Sequence, residues 1–355
     1  MMQSREMRVG GLNMSKQIEK SLKTFFRYKT ILVTGGTGSI GRQIVKKLAT
    51  YSPKKIIVFS KDDSKQYMMK NEYIEHPEIV FALGDVRDAS RVRQLVKGVD
   101  IIFHAAALKQ VPTCEDNPFE AVQTNIIGGQ HIIEAAIEHE VSHVVNISTD
   151  KAVAPTNAMG ATKLISEKLF FQANESIPNQ KTMFCSVRFG NVLGSRGSVI
   201  PIMLQQLLNG KPLTVTDPAM TRFFMSIEEA VSLTLEAAFM MKGGETFILK
   251  MESLQLADLL KAFQEYAGQI KIAAPDFLVV GKRPGEKLHE ELTFPHEAEI
   301  LYEHEQFYAI LPRPNLHPTF QKVNLTSYTS NEAPLITKAK LFQIIEQLHH
   351  THHKK

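Results

Sequence analysis

Residues 34–41 read Thr-Gly-Gly-Thr-Gly-Ser-Ile-Gly, directly after the apolar β-rich run of residues 31–34. Glycines 35, 38 and 41 have the spacing G-x-x-G-x-x-G and lead into a helical pattern over residues 40–48. Gly35 permits a tight turn, Gly38 lets the backbone approach a pyrophosphate, and Gly41 lets helix and strand pack closely. The helix N-terminus then faces the phosphates. A glycine triplet alone is a weak signal. Between a strand and a helix it predicts a dinucleotide site, with Thr37, Ser39 and Ile40 in the same turn.

The rest of the first half repeats the strand–helix alternation. Strands are predicted at 55–60 and 79–83, within 99–106, and at 141–148 and 184–189, with helices at 118–138 and 160–173. Buried apolar strands alternating with helices imply an α/β fold, a Rossmann-like doubly wound parallel sheet covered on both faces. After Asn191 the order changes. Short elements fill 191–225, a helix is expected over 227–241, and 275–318 is loop-rich. The expected organisation is a dinucleotide-binding domain over 29–190 and, interleaved with it, a smaller C-terminal substrate-binding lobe over 191–330. Residues 1–28 read as a basic helical arm, with Ile18, Leu22, Phe25 and Phe26 on one stripe. Residues 331–355 read as a helix and a His-rich tail.

With 41 Lys+Arg against 37 Asp+Glu, the net charge of +4 is too mild to argue for nucleic acid. Cys114 and Cys185 are too few for a disulfide framework or a four-cysteine zinc site, and no histidine spacing outside the tail suggests a metal. No apolar run reaches the ~18 residues of a membrane span, and the N-terminus has no apolar signal core. A cytoplasmic, reducing location is the default expectation.

The end of the second strand selects the cofactor. An acid there accepts hydrogen bonds from the ribose hydroxyls of NAD. Here the strand ends Phe59-Ser60-Lys61-Asp62. Ser60 and Lys61 suit a 2′-phosphate and favour NADP; the alternative is NAD, with Asp62 on the ribose. Asp85 and Val86 suit the adenine pocket, and Ala105 and Ala106 are small enough to let the cofactor lie flat.

The fifth strand ends Ser148-Thr149-Asp150-Lys151, and Met159 and Lys163, four apart, share a face at the next helix start. With the glycine loop, this arrangement resembles the extended short-chain dehydrogenase/reductase superfamily. There a Tyr-x-x-x-Lys pair does the acid–base work, but Met159 stands where the tyrosine belongs, and methionine cannot exchange a proton. The stretches 104–112, 149–164, 188–199, 220–223 and 283–290 resemble the nucleotide-sugar 4,6-dehydratases acting on UDP-N-acetylglucosamine. The resemblance spans roughly residues 30–330.

It implies oxidation at carbon 4, loss of water across carbons 5 and 6, and hydride return to carbon 6, with no net use of cofactor. Elimination needs a base and an acid close together. Lys151 is expected as the base and Asp150 as the acid, with Thr149 bonding the carbon 4 oxygen and Lys163 holding the cofactor ribose. The diphosphate needs fixed positive donors. Arg222 and Arg283 are the leading candidates, with Asn191, Arg196, Lys109 and Glu286 around the sugar nucleotide; structural salt bridges are the competing roles. The 283–290 and 60–62 stretches favour the branch that inverts carbon 5. Alternatives are a retaining dehydratase, one releasing the 5,6-unsaturated sugar, an epimerase or reductase, and, least favoured, a non-catalytic nucleotide-binding protein. The superfamily also implies a homo-oligomer.

Overall fold

A computed structural model describes residues 16–175, 181–193, 198–305 and 307–352. Helix α1 (16–26) leads into β1 (Thr30–Thr34), α2 (Ser39–Ala49), β2 (Lys55–Ser60), α3 (Asp63–Glu72), β3 (Ile79–Leu83), α4 (Ala89–Val96) and β4 (Ile101–His104). Helices α5 (Val111–Asp116), α6 (Pro118–Ala121) and α7 (Gly128–Glu138) cross to β5 (His143–Ile147), and α8 (Ala158–Glu175) crosses to β6 (Met183–Arg188). Then follow β7 (Asn191–Val192), α9 (Val199–Leu208), β8 (Leu213–Val215), β9 (Thr221–Met225), α10 (Ile227–Met240), β10 (Thr246–Leu249), β11 (Glu252–Gln255), α11 (Leu256–Gln269) and β12 (Phe277–Val279). Last come β13 (Leu301–His304), β14 (Phe307–Ile310), β15 (Gln321–Lys322) and α12 (Lys338–His352).

The main sheet has the order β15-β13-β14-β10-β6-β5-β4-β1-β2-β3. From β3 to β10 its pairings are parallel, and β14, β13 and β15 extend it antiparallel. Successive side chains of a strand point to opposite faces. Ile31 and Val33 accordingly join one core, with α1, α2 and α10, while Leu32 joins the other, with α4, α7 and α8. Both faces are covered, which is why β1 reads as a continuous apolar run.

Helix α1 closes over this core. Leu22 and Phe26 are buried, and Phe26 stacks on Tyr51 with ring centroids 5.9 Å apart. Burying side chains of this size contributes roughly 1.5–3 kcal/mol each. Residues 1–15 of the expected arm and 353–355 of the tail lie outside the described residues.

The 191–330 stretch divides between two places. Strands β10, β13, β14 and β15 lengthen the main sheet, while α9, β8, β9, β11, α11 and α12 surround a second apolar core centred on Met203, Leu259 and Phe263. The 118–138 pattern is one continuous run in sequence, but residues 122–127 form a π-helical turn between α6 and α7. That wider turn places Asn125 inward, where its side chain bonds both the N–H and the C=O of Leu108 and the hydroxyl of Thr162.

Candidate active site

The strand order reverses between β1 and β4, and a cleft opens there over the carboxyl ends of the strands, as doubly wound sheets require. It encloses about 760 Å³ and runs from the glycine loop to the second apolar core.

At one end Gly35 has φ +61°, and a Cβ there would come within 2.8 Å of the Ala105 carbonyl carbon. A Cβ on Gly41 would lie 2.5 Å from the Gly35 oxygen. Gly38 precedes α2 and gives it no side-chain cap, so the first-turn N–H groups of α2 face the cleft. Thr37, Ser39, Ile40, Val86, Ala105 and Ala106 line the same end of the cleft. A tight turn with no room for a Cβ at Gly35 or Gly41, with backbone donors at a helix start, fits a dinucleotide diphosphate.

Beyond it Ser60 is buried, and its hydroxyl pairs with Thr37 Oγ1 at 2.8 Å and accepts the Asp62 N–H at 3.1 Å. The Asp62 carboxylate caps α3 by accepting the Lys65 N–H at 2.9 Å and also pairs with the Lys65 ammonium. Lys61 lies 3.8 Å from Asp85, which Arg87 also holds. Burial works to raise the Asp85 carboxyl, but hydrogen bonds from Arg87 and the charges of Arg87 and Lys61 bring it below its usual range. This end of the cleft therefore presents Lys61 and Lys65 beside an acid already engaged as a helix cap.

At the middle of the cleft, Asp150, Lys151 and Ala152 form a single 3-10 turn just past β5. Thr149 Oγ1 donates to Asp150 Oδ1 at 2.8 Å, and Lys151 Nζ lies 3.0 Å from the same oxygen. Lys151 also lies 3.3 Å from Glu290 Oε1 and 3.5 Å from Asn191 Oδ1. Asp150 is fully buried, which pushes its carboxyl above the usual range, and Glu290 adds to that push. Burial also works to raise Glu290, but Lys151 and Arg222 draw it below its usual value. Burial opposes charge on Lys151, yet Asp150 and Glu290 outweigh it and hold the ammonium above its usual value.

Helix α8 supplies Met159 and Lys163, both buried and both lining the cleft. Met159 packs with Cys114 and Ala121 in a small apolar cluster. Burial lowers the Lys163 pKa to about 8, with Glu167 partly opposing. His104, buried behind the β4 end, is brought down to about 3 by burial and the Lys163 charge, so it is a neutral imidazole bonded to Thr34 Oγ1.

At the far end lie Lys109, Asn191, Arg222, Arg283 and Glu286. The donors of Arg222 go to the carbonyls of Thr221, Leu288 and Lys287 and the sulfur of Met220, and its Nε lies 3.7 Å from Glu290. Holding a phosphate would require it to exchange one of these bonds. Arg283 is largely exposed and stands beside Glu286, which accepts its backbone N–H. The Gly285 carbonyl accepts from Thr156 Oγ1 and Asn157 Nδ2, and Lys287 Nζ donates to the Val153 carbonyl. The 283–287 segment is thus tied to the turn after Lys151. Arg196 lies outside the described residues.

The cleft gathers the residues singled out from sequence, apart from Arg196 and the buried Asp150 just behind its wall. It also contains residues that sequence reasoning passed over, chiefly Glu290, Lys65 and Lys287. Glu290 closes the 283–290 stretch that carried the resemblance, which was the one signal pointing to it.

The polysaccharide biosynthesis protein family matches residues 31–312. The chain belongs to this family. An uncharacterised membrane protein of Methanocaldococcus jannaschii is 46% identical over 332 residues, covering 93% of this chain and 98% of that protein. A UDP-N-acetylglucosamine 4,6-dehydratase (inverting) of Campylobacter jejuni is 40% identical over 343 residues, covering 92% and 99%. A UDP-glucose 4-epimerase of Rickettsia akari is 41% identical over 269 residues, covering 75% and 77%. The X-ray structure of Pen from Bacillus thuringiensis shares the fold with a TM-score of 0.86 at 39% identity, covering 91% of this chain and 98% of that one. Among the described residues, no helix of this family member is long and apolar enough to cross a membrane.

Proposed function

We propose that this chain is a UDP-N-acetylglucosamine 4,6-dehydratase of the inverting type, a hydro-lyase working with a bound nicotinamide cofactor. One observation carries the reading: a lysine that reaches the cleft, Lys151, lies 3.0 Å from a fully buried acid, Asp150. Elimination of water needs a base at one carbon and an acid at its neighbour, and this pair supplies both. The Campylobacter relative bears that activity in its name.

The glycine loop, Asp85, Val86, Ala105, Ala106 and Lys163 would hold the cofactor, which supplies hydride acceptance at carbon 4 and hydride return at carbon 6. Thr149 hydrogen-bonds the carbon 4 oxygen, whose hydroxyl proton leaves through Thr149, Asp150 or a water as the hydride departs. Lys151 takes the carbon 5 proton, made acidic by the neighbouring ketone, and Asp150 protonates the departing carbon 6 hydroxyl. Met159 contributes shape and dryness rather than a proton. Lys109, Asn191, Arg196, Arg222, Arg283 and Glu286 bind the UDP-sugar. Ser60, Lys61 and Lys65 support NADP, because Asp62 already caps α3. The remaining assignments are a cytoplasmic homo-oligomer with the dinucleotide on the 29–190 side of the cleft and the UDP-sugar on the 191–330 side.

The Rickettsia relative's name favours a second reading, a UDP-sugar 4-epimerase. An epimerase returns hydride to carbon 4 and loses no water, so it has no use for an acid at carbon 6. Incubation with UDP-N-acetylglucosamine in heavy water, followed by NMR of the product, separates the two. The expected product is a 4-keto-6-deoxy sugar with deuterium at an inverted carbon 5. A carbon 4 epimer that keeps its carbon 6 hydroxyl would establish the second reading instead.

A further inference from the structure

Lys151 does not face Asp150 alone. Its ammonium sits between two buried carboxylates, 3.0 Å from Asp150 Oδ1 and 3.3 Å from Glu290 Oε1. The Glu290 backbone N–H donates to Ser330 Oγ at 2.9 Å, which anchors the backbone from which the carboxylate extends. Arg222 Nε lies 3.7 Å from the same Glu290 oxygen, and Lys287 adds positive charge from the same segment. Asp150 Oδ2 and Glu290 Oε2 are both buried with no hydrogen-bond partner among the described residues, so each can carry a proton without breaking a bond.

The proton count is informative. With Lys151 charged and both carboxylates ionised, the site offers neither an acid for the carbon 6 oxygen nor a free amine for carbon 5. With Asp150 protonated and Glu290 ionised, the acid is in place but the amine is still missing. One transfer supplies it. An N–H bond of Lys151 breaks, an O–H bond forms on Glu290, and Asp150 keeps its proton. Nothing outside the cluster is needed as acceptor.

We propose that Glu290 is a positioning residue of the water-loss step, holding the Lys151 ammonium and accepting its proton so that Lys151 meets the sugar as a free amine. This rests on the dehydratase reading above. The step then balances. The carbon 5–hydrogen bond breaks and its proton joins the Lys151 amine. The electron pair forms the double bond to carbon 6, the carbon 6–oxygen bond breaks, and the Asp150 proton leaves with that oxygen as water. Lys151 then passes a proton 3.0 Å to Asp150, which restores both acid and amine. Burial and the Glu290 charge push Asp150 upward, while Lys151 and Arg222 pull Glu290 downward against burial, so Asp150 takes the first proton; once neutral, Asp150 no longer adds to the charges that hold the Lys151 ammonium above its usual value.

The test is Glu290→Gln in the cofactor-loaded enzyme. Glutamine fills the same space but cannot accept a proton, so Lys151 must lose its proton to solvent. Water loss at pH 7 is expected to fall about 100-fold, the order of a general acid–base contribution. Reduction of the bound nicotinamide by UDP-N-acetylglucosamine should persist, with KM near the wild-type value. The variant's kcat should then rise about tenfold per pH unit from about pH 7 to 9, as expected when a single deprotonation limits the rate, whereas the wild-type profile stays flat. Glu290→Asp keeps an acceptor and should restore the flat profile; a folded Asp variant that fails to do so overturns the proposal, and it decides the matter if the Gln variant does not fold. A Gln variant with wild-type kcat and a flat profile overturns it too, as does one that loses nicotinamide reduction together with water loss. A wild-type enzyme that releases no water from UDP-N-acetylglucosamine would overturn the dehydratase reading itself, so the two failures are distinguishable.

Discussion

Gly160 packs directly against the carbonyl oxygen of Lys151, leaving no room for a Cβ. The start of α8 therefore rests on the turn that carries Asp150 and Lys151, and the two halves of the candidate site share one backbone contact. Gly160→Ala must push this contact apart. Overpacking of this kind costs about 1–3 kcal/mol. The expected result is a lower Tm together with reduced turnover in a protein that still folds. Thermal melting and a turnover assay check it; full activity in the alanine variant would mean that the turn tolerates displacement.

Lys163 gives a pH dependence with a definite sign. Burial holds its folded pKa at about 8, against about 10.4 for an unperturbed lysine. Between those values the unfolded chain binds more protons than the native one, so this group's contribution to stability rises with pH. Below about pH 8 the charged, buried lysine is a constant penalty. Lys163→Met removes the penalty, so the cofactor-free variant should exceed wild type most at pH 7, with the gap narrowing toward pH 10. Urea denaturation at several pH values measures the gap; one that does not change with pH would show that the pKa is not depressed.

Much of the site was legible because its ingredients are local. The glycine loop, Thr149-Asp150-Lys151 and the Met159/Lys163 pair each lie within a few residues of a strand end or helix start, where spacing maps directly onto geometry. Strands β1, β2, β4, β5 and β6 were legible for a related reason, since burial leaves largely continuous apolar runs, while β3 reads as apolar although Val80 and Leu83 are exposed at the sheet edge. Glu290 was not singled out because nothing around it is periodic. It is brought to Lys151 by contacts with β9, where the Thr221 N–H bonds the Leu288 carbonyl and Arg222 gathers the 287–288 backbone. Strands β10, β13, β14 and β15 have only two to four residues and fall outside the strand–helix alternation that marked the equally short β4; β13 and β14 form a hairpin that joins the sheet only through the pairing of β14 with the distant β10. The engagement of Asp62 as a helix cap, which bears on the choice of cofactor, likewise shows only in three dimensions.

Met159→Tyr should leave the enzyme substantially active. The methionine lies in a small apolar cluster but also lines the cleft, so a phenol hydroxyl could point into open space. Neither member of the proposed acid–base pair is touched, and such pairs account for factors of about 10²–10⁴. Turnover is therefore expected to stay within about tenfold of wild type, a range set well below that contribution. Steady-state kinetics on cofactor-loaded protein checks this; loss of activity in a folded variant would give the thioether a positive role.

Lys151→Ala separates the first oxidation from water loss. The ammonium is 3.0 Å from Asp150 and 3.3 Å from Glu290, so its removal leaves two buried carboxylates facing each other without a cation between them. Burial already pushes Asp150 upward, and without Lys151 the pair should retain a proton more firmly. The acid then survives, but nothing is left to take the carbon 5 proton. Turnover should fall by about 10²–10⁴-fold. In the proposed mechanism oxidation at carbon 4 does not use Lys151, so adding UDP-N-acetylglucosamine should still reduce the bound nicotinamide, giving an absorbance rise that does not decay. A variant with near-normal turnover would remove Lys151 from the reaction. One showing neither turnover nor an absorbance change would place it in substrate binding or in the oxidation itself.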